Sequence, residues 1–171
     1  MEKPVILLIT GSFALPEFYD SVVEGVASAG YEIKALHLQS AGPRSGEGRD
    51  NPSITMYDDA RLIAEETTKL AEEGKTVLLV AHSYGGIPAS ESVRGLTQVE
   101  RQKNGKAGGL VGIAYVTALV PELGKSAMDV LANMPPGQRD ELQIDVGLTP
   151  FHPRLLSNYC ITSGKRLDVS Q

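Results

Sequence analysis

Short apolar runs that alternate with helical patterns are the feature that most constrains how this chain can fold. The first run covers residues 5–9, and it is followed by a turn at Gly11 and a helical pattern that stops at Gly30. A continuous apolar run of this length is typical of a strand that is covered on both faces. Because the strand-then-helix order repeats, we predict an α/β fold with a mostly parallel sheet and helices on both faces.

The later elements continue this order. Thr55 is predicted to begin the second helix, with Asp58 completing a capping box three residues later. Paired acidic residues of this helix, such as Asp58 and Asp59, are predicted to face solvent and not to act as catalysts. Residues 101–106 are predicted to form a solvated polar connection. Further strands are predicted at 31–38, 76–81, 110–118 and 155–162, and further helices at 85–96, 128–132 and 138–144.

The composition fits one globular domain and argues against two classes of partner. A chain of 171 residues is long enough for one core and short for two, so we expect residues 1–171 to form a single domain. The net charge of −5 and the pI near 5.2 provide no basic surface for nucleic acid, and an acidic surface is repelled by anionic lipid. No apolar stretch approaches the roughly 18 residues of a spanning helix. We therefore expect no nucleic-acid partner and no membrane partner.

The cysteine content and the first residues bear on location. Cys160 is the one cysteine of the sequence, so it can form neither an internal disulfide nor a multi-cysteine metal site. Met-Glu-Lys-Pro precedes the first apolar run, and this start lacks the basic segment and the cleavage site of a signal peptide. Both observations predict a cytoplasmic location.

The stretch Val-Ala-His-Ser-Tyr-Gly-Gly, residues 80–86, is the most informative part of the sequence for function. It places Ser83 at the end of a predicted strand and at the start of a predicted helix. A sharp turn there would lift the hydroxyl above the sheet edge, and it requires small residues on both sides, here Ala81 and Gly85. The helix start also offers N–H groups and a positive dipole to a developing oxyanion. The pattern predicts that Ser83 is a nucleophile.

A second set of N–H donors is predicted after the first strand. Gly11 would let the chain bring the amide of Ser12 close to the serine, so the backbone N–H groups of Ser12 and Tyr84 are the candidate oxyanion hole. The competing interpretation is that Ser83 caps a helix and Gly11 only turns the chain. A phosphate-binding loop is a further alternative, but apolar residues follow Ser12 and no glycine-rich nucleotide motif occurs.

At these residues the chain resembles the α/β-hydrolase superfamily, in particular its short esterase and hydroxynitrile-lyase-like members. The resemblance covers about the first 125 residues, and it implies that Ser83 is the nucleophile and that residues 121–155 form a cap region. The segments that carry it are 5–13, Tyr19 with 29–31, 58–60, 74–86 and 108–124.

The resemblance also implies a base and an acid downstream of the serine, and here the sequence is less clear. His37 and His82 are interpreted as structural, which leaves His152 as the candidate base. Asp168 is the candidate acid, with two earlier carboxylates as alternatives, Glu122 and Asp129. Because the chain stops before the last strand and helix that the family pattern implies, it is interpreted as C-terminally truncated or divergent. An edge left uncovered in this way makes a homodimer an expectation.

Three functions follow from these observations. The first is a serine hydrolase that acts on an ester, a lactone or a related small acyl substrate through Ser83, with no organic cofactor and no metal ion. The second is a binding protein or catalytically impaired remnant that keeps the turn for its architecture. The third is a lyase or cyclase that uses the same pocket without acylating the serine.

Overall fold

The computed structural model of the protein describes residues 3–49, 51 and 53–133. In this part of the chain four strands form one parallel sheet, in the order β2-β1-β3-β4. In chain order the elements are β1 (Val5–Ile9), a 3-10 helix (Pro16–Tyr19), α1 (Asp20–Ser28), β2 (Ile33–Leu36), α2 (Met56–Glu72), β3 (Thr76–His82), a second 3-10 helix (Ser83–Gly85), α3 (Gly86–Glu91), α4 (Gln98–Lys103), β4 (Gly109–Val116) and α5 (Ala127–Ala132).

Helices cover both faces of this sheet, as predicted. Every residue of β1 is buried, whereas buried and half-buried residues alternate along β3. The core beneath α2 and α3 contains apolar side chains of the two central strands, among them Leu7 and Leu79, with Ile63 and Ile87 from the helices. On β2, Lys34 reaches Glu66 of α2 at 2.6 Å, so its chain neighbours point to the opposite face, where α1 packs. The predicted α/β class is confirmed.

The start of α2 also agrees with the sequence. Thr55 precedes the helix, and its backbone N–H and its hydroxyl donate to the Asp58 carboxylate at 2.7 and 2.8 Å. These hydrogen bonds favour the ionised carboxylate and lower the pKa of Asp58 below its ordinary value. The capping box therefore satisfies N–H groups that the first turn would otherwise leave without a partner.

Two predictions about the following segments are wrong in part. The helix predicted at 85–96 ends at Glu91. Residues 102–106 are exposed as predicted, but residues 101–103 are helical and Arg101 is not solvated. Arg101 belongs to α4 and is only 4% exposed. Its guanidinium donates twice to the carbonyl oxygen of Ala107, at 3.1 and 3.2 Å, and contacts Glu72 at 3.2 Å. These partners offset the cost of burying the charge, which a pattern based on polarity alone does not detect.

Part of the predicted cap falls within the described residues. Residues 121–133 contain α5, in agreement with the helix predicted at 128–132. The rest of the cap region, the helix predicted at 138–144 and the strand predicted at 155–162 lie outside the described residues. The single domain over residues 1–171 therefore stays a prediction.

Gly85 marks the closest approach between the turn after β3 and the end of β1. A Cβ added to Gly85 would lie 2.6 Å from the carbonyl oxygen of Thr10 and 2.7 Å from that of Ile9. Neither backbone oxygen can move without disturbing the central strand pair. The glycine predicted for the turn is therefore required sterically.

We expect Gly85→Ala to lower the free energy of unfolding by at least about 2 kcal/mol, because the added methyl group overpacks a rigid backbone contact. The matched control is Gly25→Ala in α1, where an added Cβ meets no atom within 4 Å. Higher helix propensity should make that variant more stable by about 0.5–1 kcal/mol. Urea unfolding measures both, and equal stability of Gly85→Ala and the wild type would contradict the packing argument.

Candidate active site

Ser83 sits where β3 gives way to a helical turn, as the sequence predicts. β3 ends at His82. Ser83 then adopts a φ of 53° in the left-handed region, which residues other than glycine rarely adopt. The residue is half-buried, so its hydroxyl is not sealed inside the core. A serine held in this conformation between a strand and a helix is the geometry of a nucleophile elbow.

A loop after β4 supports the elbow from one side. The backbone N–H of Leu119 donates to the carbonyl oxygen of Ser83 at 2.9 Å. A Cβ added to Gly86 would lie 2.5 Å from the carbonyl oxygen of Leu119, so the loop is packed directly on the start of α3. The elbow backbone is thus fixed by contacts outside its own strand and helix.

The loop after β1 lies against the elbow from the other side. A Cβ added to Gly11 would lie 3.2 Å from the Cβ atom of Ser83. The N–H of Ala14 donates to the carbonyl oxygen of Gly11 at 3.3 Å, which closes a turn with Phe13 at a φ of 58°. Ser12 is exposed within this turn. The structure therefore brings the loop that carries Ser12 into contact with the turn that carries Ser83 and Tyr84.

Tyr19 connects the loop after β1 to β3 through hydrogen bonds, a role that the sequence does not indicate. The N–H of Gly11 donates to the Tyr19 hydroxyl oxygen at 2.9 Å, and this hydroxyl lies 2.8 Å from Nδ1 of His82. The two rings meet edge to face, with centroids 5.7 Å apart. His82 thus bonds to Tyr19, in keeping with the structural role predicted for it.

Asp59 anchors the residue that follows Ser83, and its predicted exposure is wrong. The Asp59 side chain is 0% exposed. Its carboxylate accepts a hydrogen bond from the Tyr84 hydroxyl at 2.8 Å and another from the N–H of Ser40 at 2.9 Å. A buried carboxylate needs such donors. Its neighbour Asp58 faces solvent in part, so the acidic pair is divided between core and surface.

Two other titratable groups, Tyr115 and Asp129, are hydrogen-bonded within the described part of the fold. Burial raises the pKa of Tyr115 on β4, whose hydroxyl shares a 2.8 Å hydrogen bond with Ser90. Asp129, one alternative acid, accepts hydrogen bonds from the backbone and side chain of Ser126 at the start of α5, and these lower its pKa. Glu122, the other alternative, is exposed.

The candidate base and acid, His152 and Asp168, lie outside the described residues. Of the two histidines inside them, His37 hydrogen-bonds through Nε2 to the carbonyl oxygen of Gly42 at 2.8 Å, and His82 bonds to Tyr19.

Residues 3–49, 51 and 53–133 contain no group of three or more side chains that could hold a metal ion. Within the same residues, no helix has the length and apolar character needed to cross a membrane.

A parallel sheet with a serine elbow at the carboxyl end of a central strand defines an α/β-hydrolase-like protein. The names of two proteins with similar sequences agree with this class. The chain is 30% identical to a protein of a Phoma species named as a probable hydrolase, over 85% of this chain and 53% of that protein. It is 30% identical to an α/β hydrolase of Aspergillus novofumigatus, over 74% of this chain and 47% of that protein. The chain thus spans about half the length of the curated relatives that it matches. No protein-family profile matches it.

Among solved structures, a variant of tomato methylketone synthase I superposes with a TM-score of 0.58 at 18% identity, covering 90% of this chain and 55% of that one. An extracellular α/β-hydrolase of a Paenibacillus species gives a TM-score of 0.55 at 19% identity, with 81% and 49% covered. At this level of identity the superpositions show the fold alone. Together with the sequence relatives they support one conclusion: the chain belongs to the α/β-hydrolase superfamily.

We expect Tyr84→Phe to lower the free energy of unfolding by about 1–3 kcal/mol, because the buried Asp59 carboxylate loses one of its donors. Tyr57→Phe is the matched control, since Tyr57 is 51% exposed on α2, and its effect should stay within about 0.5 kcal/mol. Chemical denaturation of Tyr84→Phe in an Asp59→Ala background completes the test. A loss from Tyr84→Phe that is just as large without Asp59 would show that the hydrogen bond is not its cause.

Proposed function

We propose that the protein is a serine hydrolase that acts on an ester, a lactone or a related small acyl substrate. The observation that carries this proposal is the left-handed conformation of Ser83 at the end of β3, where φ is 53°. Backbone strain of this kind is kept where a side chain must be presented in one orientation. Packing of the Gly11 loop against Ser83 adds a second, independent feature expected of such a site.

In the proposed reaction the Ser83 hydroxyl gives its proton to a base while its oxygen bonds to the acyl carbon. The carbonyl oxygen becomes an oxyanion, which accepts hydrogen bonds from the N–H groups of Ser12 and Tyr84. The bond to the leaving group then breaks, and that group departs as an alcohol with the proton returned by the base. Water next attacks the acyl carbon and gives a proton to the base. The bond between that carbon and the Ser83 oxygen then breaks, the base returns the proton to the serine oxygen, and the carboxylic acid is released.

The base and the acid belong to the same proposal. His152 is proposed as the group that takes the serine proton, and Asp168 as the carboxylate that orients the histidine. His82 is a poor alternative for the base, because its hydrogen bond, at 2.8 Å from Nδ1, goes to the Tyr19 hydroxyl and not to Ser83. The names of the two fungal relatives, a probable hydrolase and an α/β hydrolase, support hydrolysis as the reaction class.

We expect a fluorophosphonate probe to label the wild-type chain at Ser83 and to leave Ser83→Ala unlabelled, because the probe requires an activated serine hydroxyl. Hydrolysis of p-nitrophenyl acetate should fall by about 10³-fold or more in the same variant. Ser21→Ala is the matched control, since Ser21 is exposed on α1. Intact mass spectrometry after labelling measures the result. Equal modification of the wild type and of Ser83→Ala would refute the proposal.

The two alternative functions give different results in the same assays. A binding protein would be stabilised thermally by its ligand and would turn over no substrate. This alternative is favoured by one observation, that neither histidine in the described part of the chain bonds to Ser83. A lyase or cyclase that does not acylate the serine would keep its activity in Ser83→Ala.

A further inference from the structure

Two hydrogen bonds meet at the Tyr19 hydroxyl. The backbone N–H of Gly11 donates to the hydroxyl oxygen at 2.9 Å. The same oxygen lies 2.8 Å from Nδ1 of His82, and a hydrogen bond joins the two side chains. Tyr19 thus links the loop amide of Gly11 to His82 at the end of β3.

These hydrogen-bonded groups lie beside the proposed nucleophile. A Cβ placed on Gly11 would meet the Cβ atom of Ser83 at 3.2 Å, Nδ1 of His82 at 3.3 Å and the Tyr19 hydroxyl at 3.5 Å. The Gly11 backbone therefore lies against Ser83, His82 and Tyr19. Its next amide along the chain belongs to Ser12, so a shift of Gly11 moves the proposed oxyanion donor relative to Ser83.

The two side chains belong to regular structure. His82 is the last residue of β3 and pairs in register with Val116 of β4. Tyr19 ends the first 3-10 helix and leads directly into α1. The Tyr19 hydroxyl thus connects the amide of the Gly11 loop to the end of a central strand.

We propose that Tyr19 and His82 are positioning residues, which hold the loop of Gly11 and Ser12 against Ser83 through these two hydrogen bonds. The inference rests on the proposed hydrolase function. Neither residue needs to touch the substrate. Their role is to set the distance between the nucleophile and one of its two oxyanion donors, a distance to which the rate of acyl transfer is sensitive.

The test compares the kinetics of fluorophosphonate labelling in the full chain. Tyr19→Phe should lower the maximal labelling rate by about 10- to 100-fold and leave the half-saturating probe concentration within about threefold, because positioning acts on the reaction step. His82→Leu, which lacks an acceptor, should behave in the same way. His82→Asn places an oxygen acceptor near the position of Nδ1 and should retain most of the rate. Tyr57→Phe is the control for the loss of a tyrosine hydroxyl.

Nuclear magnetic resonance gives a second measurement that does not depend on activity. The Gly11 amide resonance should shift in Tyr19→Phe, because its N–H donates to the Tyr19 hydroxyl oxygen in the wild type. An unchanged Gly11 amide resonance in folded Tyr19→Phe would overturn the positioning role. Thermal unfolding verifies that each variant is folded.

The outcomes separate this inference from the function on which it rests. Wild type that labels at Ser83, together with folded Tyr19→Phe that labels at the same rate, overturns the positioning role and leaves the hydrolase proposal intact. Wild type that does not label overturns the hydrolase proposal, and the positioning role with it. In that case the Gly11 amide resonance in Tyr19→Phe still shows whether the loop amide is bonded to Tyr19.

Discussion

Backbone contact between the turn after β3 and the end of β1 is the constraint on which the rest of the structure depends. Ile9 of β1 pairs with Ala81 of β3, so the two central strands end at the same level. The turns that follow them must then share the space above one edge of the sheet. Only a residue without a side chain fits between them at position 85, where the carbonyl oxygens of β1 are closest.

Two side chains extend this contact to the helices on each face of the sheet. His82 and Tyr84 flank Ser83 in sequence, and they bond to partners in different layers. His82 reaches Tyr19, next to α1, whereas Tyr84 reaches the carboxylate of Asp59 on α2. The elbow is therefore tied to both helix layers, and its strained serine does not depend on its own turn for support.

Patterns among residues close together in the sequence were sufficient to predict the sheet, α2 and the elbow at Ser83. The capping box of Thr55 and Asp58 spans three residues, and the steric rule for small neighbours of Ser83 spans two on each side. The nucleophile candidate and the loop of Gly11 could therefore be predicted without knowledge of distant contacts.

The features that sequence reasoning missed depend on partners far along the chain. Asp59 finds its tyrosine donor 25 residues away, and Arg101 finds Glu72 at a separation of 29 residues. Both were predicted to face solvent because charge is normally exposed. Tyr19 was part of the recognised pattern, but its role depends on a contact with His82 across 63 residues. No periodicity or spacing rule contains such a contact.

The left-handed backbone at Ser83 bears on the evolution of this fold. Glycine adopts a φ of 53° without the steric cost that serine meets there. In a lineage where the hydroxyl had lost its use, replacement by glycine would relieve the backbone strain of the turn, offset in part by the greater entropy that glycine loses on folding. Persistence of serine at position 83 among descendants of this gene would thus record continuing selection for the oxygen atom itself, and glycine would mark the branches that abandoned it.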